Sequence, residues 1–206
     1  MTCRPYARNV AKRRYDTEAT RAEILRSARA AFAEVGYATA KTSDIVARLG
    51  LTRGALYHQF GSKEGLFEAV LEDVQVELAA EVRRRAAASS GDTVDALRAG
   101  FRAYLEVATR PDVRRILMVD GPAVLGWERW QEIDLRHAFG VTRSGLARAI
   151  AAGEIGDGPL DELTHVLLGA ATHAGLELGR ASAPRATRRL YVDAMDRLLD
   201  GLRTPA

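Results

Sequence analysis

The chain has 206 residues, 47% of them hydrophobic, and a single Cys. This length corresponds to one large domain or two small ones and is sufficient to bury a hydrophobic core. The composition excludes an intrinsically disordered protein, a disulfide scaffold and a structural zinc site made of several thiolates. No apolar run reaches about eighteen residues, and the basic N-terminus lacks the apolar segment of a signal peptide, so we expect a cytoplasmic protein without membrane association.

The net charge of +3 is unevenly distributed along the chain. Residues 1–63 contain 12 Lys and Arg against 5 Asp and Glu, a net charge of +7, whereas residues 64–206 contain 18 against 22, a net charge of −4. The basic N-terminal third predicts a polyanionic partner for that end and a different role for the remainder. Up to Tyr15 the chain contains five basic residues and no acidic residue. We therefore expect residues 1–17 to form a basic, disordered arm, which either contacts the polyanion or remains a solvated tail.

Helix-forming residues dominate the sequence and apolar residues recur at helical spacing, so the predicted fold class is all-α with about nine helices. Four helices are predicted in the first 85 residues because each follows a capping residue, and glycine ends two of them. Their limits are Thr20 (in a capping box with Glu23) to Gly36, Thr42 to Gly50, Thr52 to Phe60 and Ser62 to Arg85.

Five further helices are predicted after a loop at residues 86–91. They run from an Asp92 cap to Ala108, between Pro111 and Gly121-Pro122, from Trp127 to Ala152 with a kink near Gly140, from Pro159 to about Gly179 and from Pro184 to about Leu202.

The second and third helices are short and are separated by Gly50-Leu51, which is typical of a helix-turn-helix. Such a motif holds its second helix rigidly, so that the exposed face can enter a major groove of DNA. We expect that face to present Thr52, Arg53, Gly54, Ala55, Tyr57 and His58. Arg53 can donate two hydrogen bonds to a guanine edge, and Lys63 with the next helix N-terminus forms an anion site. The alternative is an ordinary pair of helices around a glycine turn.

The segment from Thr20 to Val74 resembles the DNA-binding domain of the TetR (tetracycline repressor-like) transcriptional regulators. The resemblance is carried by AEILRSARAAFAEVGY at 22–37 and TSDIVARLGLTRGALYHQFGSKEGLF at 42–67. It implies an all-α homodimer with a helix-turn-helix domain at 18–64, which binds a palindromic operator in double-stranded DNA. It also implies an effector-binding and dimerisation domain at 65–206.

The resemblance also assigns individual residues. It implies that Thr42 and Ser43 contact phosphate or bases and that Lys63 contacts the DNA backbone. Many members of the family have His immediately before the Phe that closes the third helix, whereas this chain has Gln59. The Gln59 amide can still donate to phosphate or read adenine, so we include it in the DNA-binding set.

For residues beyond about 75, the resemblance implies a pocket that binds a small-molecule effector of unknown identity, and such sites are usually apolar with a few polar groups. The stretch WERWQEID at 127–134 is similar to one branch of the family. Aromatic residues three apart share a helix face, and Met and His add adaptable or polar groups. The candidate ligand-binding residues are Phe101, Tyr104, Met118, Trp127, Trp130, His137 and His173. The alternative for each of them is ordinary core packing.

The last two helices carry broad faces of apolar and small residues. In the family that the chain resembles, the final helix pair of each subunit forms a four-helix bundle with its partner. A two-fold axis is also what a palindromic operator requires. The candidate dimer-interface residues are Leu163, Val166, Leu167, Ala170, Ala174, Leu178, Met195 and Leu198. The alternative is an intramolecular core.

Two Asp/Glu–His pairs at i, i+3 suggest another hypothesis, because di-metal helical bundles use this spacing. They are Asp134 with His137 and Glu162 with His165. No residues specify the additional ligands, and no nucleophile–base motif or phosphate loop is present, so we expect no metal, no cofactor and no enzymatic activity. The leading hypothesis is a ligand-responsive transcriptional repressor. A metal-dependent helical-bundle enzyme and an effector-independent DNA-binding protein remain as alternatives.

Overall fold

A computed structural model describes the backbone of residues 6–204 and the side chains of residues 18–204. This part of the chain forms nine helical elements, and the prediction of an all-α fold is confirmed. Within it, no helix is both long enough and apolar enough to cross a bilayer. The elements are α1 (Tyr6–Thr39), α2 (Thr42–Ala47), α3 (Arg53–Phe60), α4 (Lys63–Ala87), α5 (Thr93–Ala108), α6 (111–125), α7 (Trp127–Ala151), α8 (Leu160–Arg180) and α9 (Pro184–Gly201).

The chain divides into two compact units between Val70 and Leu71. The dividing point lies inside α4, a few residues after the boundary that we expected at residue 64. The N-terminal unit has a core of apolar side chains from α1, α2, α3 and the start of α4. At its centre the Phe32 and Phe67 rings meet edge to face with centroids 5.3 Å apart, and Tyr37 lies 5.1 Å from Phe67.

The start of α1 was predicted wrongly, because the helix begins at Tyr6 and not near Thr20. Residues 6–20 contain neither Gly nor Pro and are rich in helix-forming residues, so nothing in that stretch stops the helix. The backbone of residues 6–17, which we expected in a disordered arm, is therefore helical. The remaining arm residues and the polyanion contact predicted for the arm's side chains lie outside the described residues. Gly36 interrupts the helical backbone as predicted (φ 78°, ψ 165°).

Local capping chemistry fixes the starts of three helices. The side chains of Thr52, Ser62 and Asp92 accept hydrogen bonds from the backbone N–H groups three residues later, at 3.2, 2.9 and 2.9 Å. These predicted caps are confirmed. The cap predicted at Thr42 is wrong, because Thr42 is the first residue of α2 and is buried. The Thr42 hydroxyl lies 3.4 Å from the hydroxyl of Tyr57. It therefore contacts a side chain of α3 and does not cap the backbone of α2.

The predicted end of α6 at Gly121-Pro122 is wrong, because the element continues to Leu125. It consists of an α-helical turn at Pro111–Val113, a π-helical stretch at Arg114–Asp120 and an α-helical turn at Gly121–Leu125. A Cβ atom at Gly121 would lie 2.7 Å from the Trp130 ring, so the glycine permits close packing and does not stop the helix. Pro122 is tolerated because it occupies the first turn of its segment, where a missing N–H matters least.

The C-terminal unit is built from α5, α7, α8 and α9, with α6 packed against α7 and α8. The α7 helix continues through Gly140 without the kink that we expected. Gly140 is exposed, and a Cβ atom there would have no neighbour within 4 Å, so packing does not bend the helix at this point. Pro159 immediately precedes α8 and forms no side-chain cap hydrogen bond, and Pro184 lies in the first turn of α9.

The end of the chain is tied to the start of α5 by charged groups. The Arg203 guanidinium donates to both carboxylate oxygens of Asp92, at 2.7 and 3.1 Å. The Glu154 carboxylate accepts from the backbone N–H groups of Thr93 and Val94 at 3.1 and 2.9 Å, where the helix dipole favours negative charge. The Arg203 hydrogen bonds, followed by that of the Asp95 N–H, lower the pKa of Asp92 from 3.8 to about 2.

We expect Arg203→Gln to lower the Tm of the protein at pH 7. The pKa of Asp92 is depressed in the folded state, so the pair stabilises the fold above pH 3.8 and this contribution is lost as the pH falls towards about 2. The Tm difference between wild type and variant should therefore disappear over that window. Circular dichroism melts from pH 7 to pH 2 measure it. Arg197→Gln is the control, because its pair with Asp193 is a highly exposed contact within α9. Equal Tm changes in the two variants at pH 7 would contradict the prediction.

We expect Trp130→Phe to destabilise the protein by about 1–3 kcal/mol, because it removes a buried hydrogen bond and leaves a void. Trp130 is 1% exposed, and its indole N–H donates to the Leu117 carbonyl at 2.8 Å. Urea denaturation measures the free energy of unfolding. Trp127→Phe is the matched control, since Trp127 is 49% exposed and its loss should cost less. A larger loss for Trp127→Phe would show that this packing assignment is wrong.

Candidate nucleic-acid interface and internal cavity

The first candidate site is the pair of helices α2 and α3 in the N-terminal unit. The turn between them is closed by a hydrogen bond from the Leu51 N–H to the Val46 carbonyl (3.0 Å), and Gly50 adopts a positive φ of 64° that favours glycine. Val46 and Leu56 are buried, which fixes α3 by its inner face. The arrangement is a helix-turn-helix whose second helix keeps its other face exposed.

The exposed face of α3 contains most of the predicted contact residues. Thr52, Arg53, Gly54 and His58 are exposed on it. Ala55, Tyr57 and Gln59 are half-buried, and the side-chain oxygen of Gln59 is buried without a hydrogen-bond partner among the described residues. On α2, Ser43 is exposed, whereas Thr42 is buried. Direct contact of Thr42 with a nucleic acid therefore does not fit the structure, because its side chain supports Tyr57.

Tyr57 is held by two of its neighbours. Its hydroxyl lies 3.4 Å from that of Thr42, and the Arg53 guanidinium lies 5.8 Å from its ring centroid. Hydrogen bonds with Thr42 and then Arg53 lower the pKa of the Tyr57 hydroxyl from its ordinary value. The side chain is thus oriented as a hydrogen-bonding group beside an exposed guanidinium, an arrangement that suits a phosphate.

Lys63 begins α4 and forms two contacts within the N-terminal unit. Its Nζ donates to the Ala38 carbonyl at 3.4 Å and lies 4.5 Å above the Tyr37 ring. These contacts hold a positive charge at a helix N-terminus, which favours anions. Sequence reasoning missed Gly65, where a Cβ atom would lie 2.2 Å from the Phe60 carbonyl oxygen. The tight turn before α4 therefore requires glycine, and the Gly-Ser-Lys-Glu-Gly sequence was the signal for it.

The second candidate site is a cavity of about 900 Å³ in the C-terminal unit, a volume suited to a drug-sized molecule. It lies among α4, α5, α7 and α8, and residues of α9 contribute to its wall. Three of the predicted ligand-binding residues line it: Phe101, Tyr104 and His137. The rings of Phe101 and Tyr104 are stacked, with centroids 6.5 Å apart and an interplanar angle of 28°.

The other four predicted ligand-binding residues, Met118, Trp127, Trp130 and His173, do not line this cavity. Trp130 is buried in the core, and Trp127 packs on it with ring centroids 5.3 Å apart. Met118 is buried against α8, where a Cβ atom at Gly179 would lie 2.9 Å from it. His173 is exposed on α8. Helical spacing identified residues that share a face, but the face that meets the cavity depends on tertiary packing.

Asp134 was missed as a cavity residue, although it lines the wall and is only 5% exposed. Its two carboxylate oxygens accept hydrogen bonds from Gln75 Nε2 at 2.9 Å and from Thr172 Oγ1 at 2.8 Å. Burial raises the pKa of the Asp134 carboxyl, and the hydrogen bonds and His137 oppose this effect. Burial and the nearby Asp134 also raise the pKa of Tyr104 well above 10, so its hydroxyl stays neutral. The available signal was an Asp within the apolar stripe of α7.

The two pairs that suggested a di-metal bundle lie in different surroundings. Asp134 and His137 line the cavity, and the Nε2 atom of His137 is buried without a partner in the described structure. Glu162 and His165 are exposed on α8, where the His165 ring lies 4.9 Å from that of Phe139. Among the described residues, no three His, Cys, Asp or Glu side chains converge on a point that could hold a metal ion. Neither pair has the further ligands that the metal pattern requires.

Four of the predicted dimer-interface residues are buried inside the C-terminal unit and cannot contribute exposed surface: Leu167, Ala174, Leu178 and Met195. Leu163 and Ala170 are half-buried against the same core. Val166 and Leu198 remain exposed, at 66% and 54%, and Leu190 on α9 is 72% exposed. A broad apolar helix face can pack in an intramolecular core or form a subunit interface, so the sequence pattern alone does not distinguish the two.

Two parts of the chain match described protein families. Residues 24–70 match the family described as "Bacterial regulatory proteins, tetR family". Residues 94–202, more than half of the chain, match the family described as "Tetracyclin repressor-like, C-terminal domain". The two matched segments coincide with the helix-turn-helix unit and with most of the cavity-bearing unit.

Individual proteins that are similar to this chain support the same family. A TetR-family transcriptional regulator from Pectobacterium atrosepticum has a similar structure, with a TM-score of 0.84 and 32% identity, covering 93% of this chain and 98% of that chain. RolR, solved in complex with the ligand resorcinol, shares the fold, with a TM-score of 0.70, 19% identity and 89% coverage of each chain. The HTH-type transcriptional repressor Rv1474c from Mycobacterium tuberculosis is 34% identical over 116 residues, 56% of this chain and 60% of that protein. The chain therefore belongs to the TetR family of DNA-binding transcriptional regulators, which are not enzymes.

Proposed function

We propose that this regulator is a homodimeric repressor that binds a palindromic operator and is released from it when a small molecule occupies the cavity. The observation that carries the proposal is the presence of both parts in one chain. One unit exposes a polar recognition face on α3, and the other encloses about 900 Å³ of largely apolar space. Repression as the sign of regulation is supported by relatives such as Rv1474c, whose names describe repressors. We place the activity in the cytoplasm, where the DNA is accessible.

On the DNA side, the outer face of α3 supplies the base-reading groups. Arg53 is exposed, and its guanidinium can donate a bidentate pair of hydrogen bonds to a guanine edge. Gly54 has no side chain, so the backbone of α3 can approach the groove closely. Ser43, Tyr57 and Lys63 supply hydroxyl and ammonium groups that suit phosphates. Base contacts then determine sequence, and phosphate contacts determine the position of the helix.

On the dimer side, exposed apolar side chains support a self-association surface on α8 and α9. Val166, Leu190 and Leu198 are all more than half exposed, and large apolar groups of this kind are covered in stable assemblies. A two-fold axis would place two copies of α3 about one duplex turn apart, at ~34–36 Å. This geometry requires an operator with two inverted half-sites.

The cavity supports regulation by a ligand over an effector-independent DNA-binding protein, which would have a collapsed C-terminal core. Gln75 and Leu78 of α4 line the cavity, and α4 is one helix that begins directly after α3. We propose that a bound ligand displaces α4 and thereby changes the separation of the two α3 helices in the dimer. The resorcinol complex of RolR shows that a protein of this fold binds a small molecule.

The experiment that tests the proposal is selection of bound sequences from random duplex DNA with the full chain. A palindromic consensus is the expected result, and binding to that duplex should weaken when a cavity ligand is added. Recovery of sequences without inverted symmetry would overturn the dimeric operator model. Ligands that bind the cavity and leave operator affinity unchanged would overturn the regulatory model.

We expect Arg53→Ala to cost about 1–3 kcal/mol of operator binding and to relax specificity at one base pair, because it removes a base-reading group. Lys63→Ala should weaken operator and random DNA alike and reduce the salt slope of binding by about one, because it removes a phosphate contact. Fluorescence anisotropy at several salt concentrations separates the two effects. Arg197→Ala, an equal change of charge on α9, is the control. Equal losses on random DNA for Arg53→Ala would contradict base reading.

We expect Val166→Glu to yield a folded monomer with weak operator affinity, because it places a charge on the proposed dimer surface. Sedimentation equilibrium measures the mass, and circular dichroism verifies the fold. Val76→Glu is the matched control, since Val76 is also exposed, at 52%, but lies on α4. A dimeric Val166→Glu variant with unchanged DNA binding would remove this surface from the interface.

A further inference from the structure

The charged groups around the cavity differ in how their charges are balanced. Arg136 donates to Glu72 and Glu132, and Asp92 is paired with Arg203. The Glu154 carboxylate accepts from two backbone N–H groups at the start of α5. Most of the acidic groups in the cavity wall thus have a counter-charge or a helix dipole beside them.

Within the described part of the chain, Asp134 has no Lys or Arg partner and no helix N-terminus beside it, although the nearby His137 lowers the pKa of its carboxyl. Its hydrogen-bond partners, Gln75 and Thr172, are neutral, and no Lys or Arg side chain forms an ion pair with it. It is only 5% exposed, so water does not solvate the carboxylate effectively. A buried carboxylate without a cation costs free energy that hydrogen bonds from neutral groups offset incompletely. The cavity therefore contains an acidic group whose natural complement is a cation.

We propose that the ligand of this cavity is an amphipathic amine, with an apolar body and a protonated amino group that forms an ion pair with Asp134. The inference rests on the proposed function of the cavity as the effector site. Each carboxylate oxygen of Asp134 accepts one hydrogen bond from the protein, which leaves lone pairs for an N⁺–H donor. The stacked rings of Phe101 and Tyr104 add π faces to the wall, which attract cations.

The rest of the wall fits the apolar body of such a molecule. The wall includes the apolar side chains of Leu78, Val82, Leu97 and Leu168. The cavity volume of about 900 Å³ can hold a large apolar group in addition to the amino group. Two arginines of the wall, Arg83 and Arg148, would favour an anion, but both are exposed. Exposed charges are hydrated and screened, so they select a ligand far less strongly than a buried carboxylate does.

The test uses three probes that share one apolar body and differ in the head group: 4-phenylbutylamine, 4-phenylbutan-1-ol and 5-phenylpentanoate. Isothermal titration calorimetry on the full chain measures each Kd at constant pH and salt. We expect the amine to bind the wild-type protein at least about tenfold more tightly than the alcohol, and the carboxylate to bind most weakly. In Asp134→Asn, which keeps the shape of the side chain, the amine and the alcohol should bind about equally.

One control variant and one measurement of folding accompany this test. Arg148→Gln changes an exposed charge of the same wall and should preserve the preference for the amine. Circular dichroism verifies that Asp134→Asn is folded, because its amide offers one acceptor oxygen where the carboxylate offers two, so one hydrogen bond of the network has to rearrange.

The outcomes for the ligand class and for the regulatory role are distinct. Failure of the amine to bind, equal binding of amine and alcohol to the wild type, or a preference that persists in Asp134→Asn would overturn the proposed ligand class. If the alcohol or the carboxylate binds and releases the selected operator duplex, the cavity is an effector site for another class. If the amine binds through Asp134 and the operator remains bound, the ligand class stands and the regulatory role fails.

Discussion

One helix has to satisfy two hydrophobic cores at once, and the rest of the structure depends on this constraint. The α4 helix places Leu66 and Phe67 in the core of the N-terminal unit and Val74 and Leu78 in that of the C-terminal unit. All four are nearly inaccessible to solvent, so each half of the helix is held by close-packed side chains of its own unit. We expect a helix held by close-packed side chains to change position in discrete steps rather than continuously.

The buried face of α4 contains one polar group at the point where it meets the cavity. Gln75 is 2% exposed and donates to Asp134 of α7, whose other oxygen accepts from Thr172 of α8. This network connects three helices through one carboxylate. A buried polar network is costly when one partner is lost, so its members have a strongly preferred arrangement. The same carboxylate therefore also fixes the position of α4 relative to α7.

The sequence predicted those features that depend on neighbouring residues. The caps at Thr52, Ser62 and Asp92 and the exposed face of α3 follow from local hydrogen bonding and helical spacing, and the helix-turn-helix could be recognised from its residues. Features that depend on distant residues could not be predicted. Thr42 bonds Tyr57 instead of capping α2, and Gly121 admits the Trp130 ring instead of ending a helix. Likewise, an apolar stripe on α8 did not distinguish buried Leu167 from exposed Val166.

A ligand can shift α4 only by as much as it binds two positions of the helix differently. Apolar contacts with the wall are non-directional, so a molecule that merely fills the cavity interacts similarly with several positions of α4. A group that engages Asp134 acts on the acceptor that Gln75 of α4 uses, and its binding energy therefore depends on where α4 lies. In the proposed regulatory mechanism, the buried carboxylate is thus the part of the cavity at which ligand chemistry and helix position are most directly coupled.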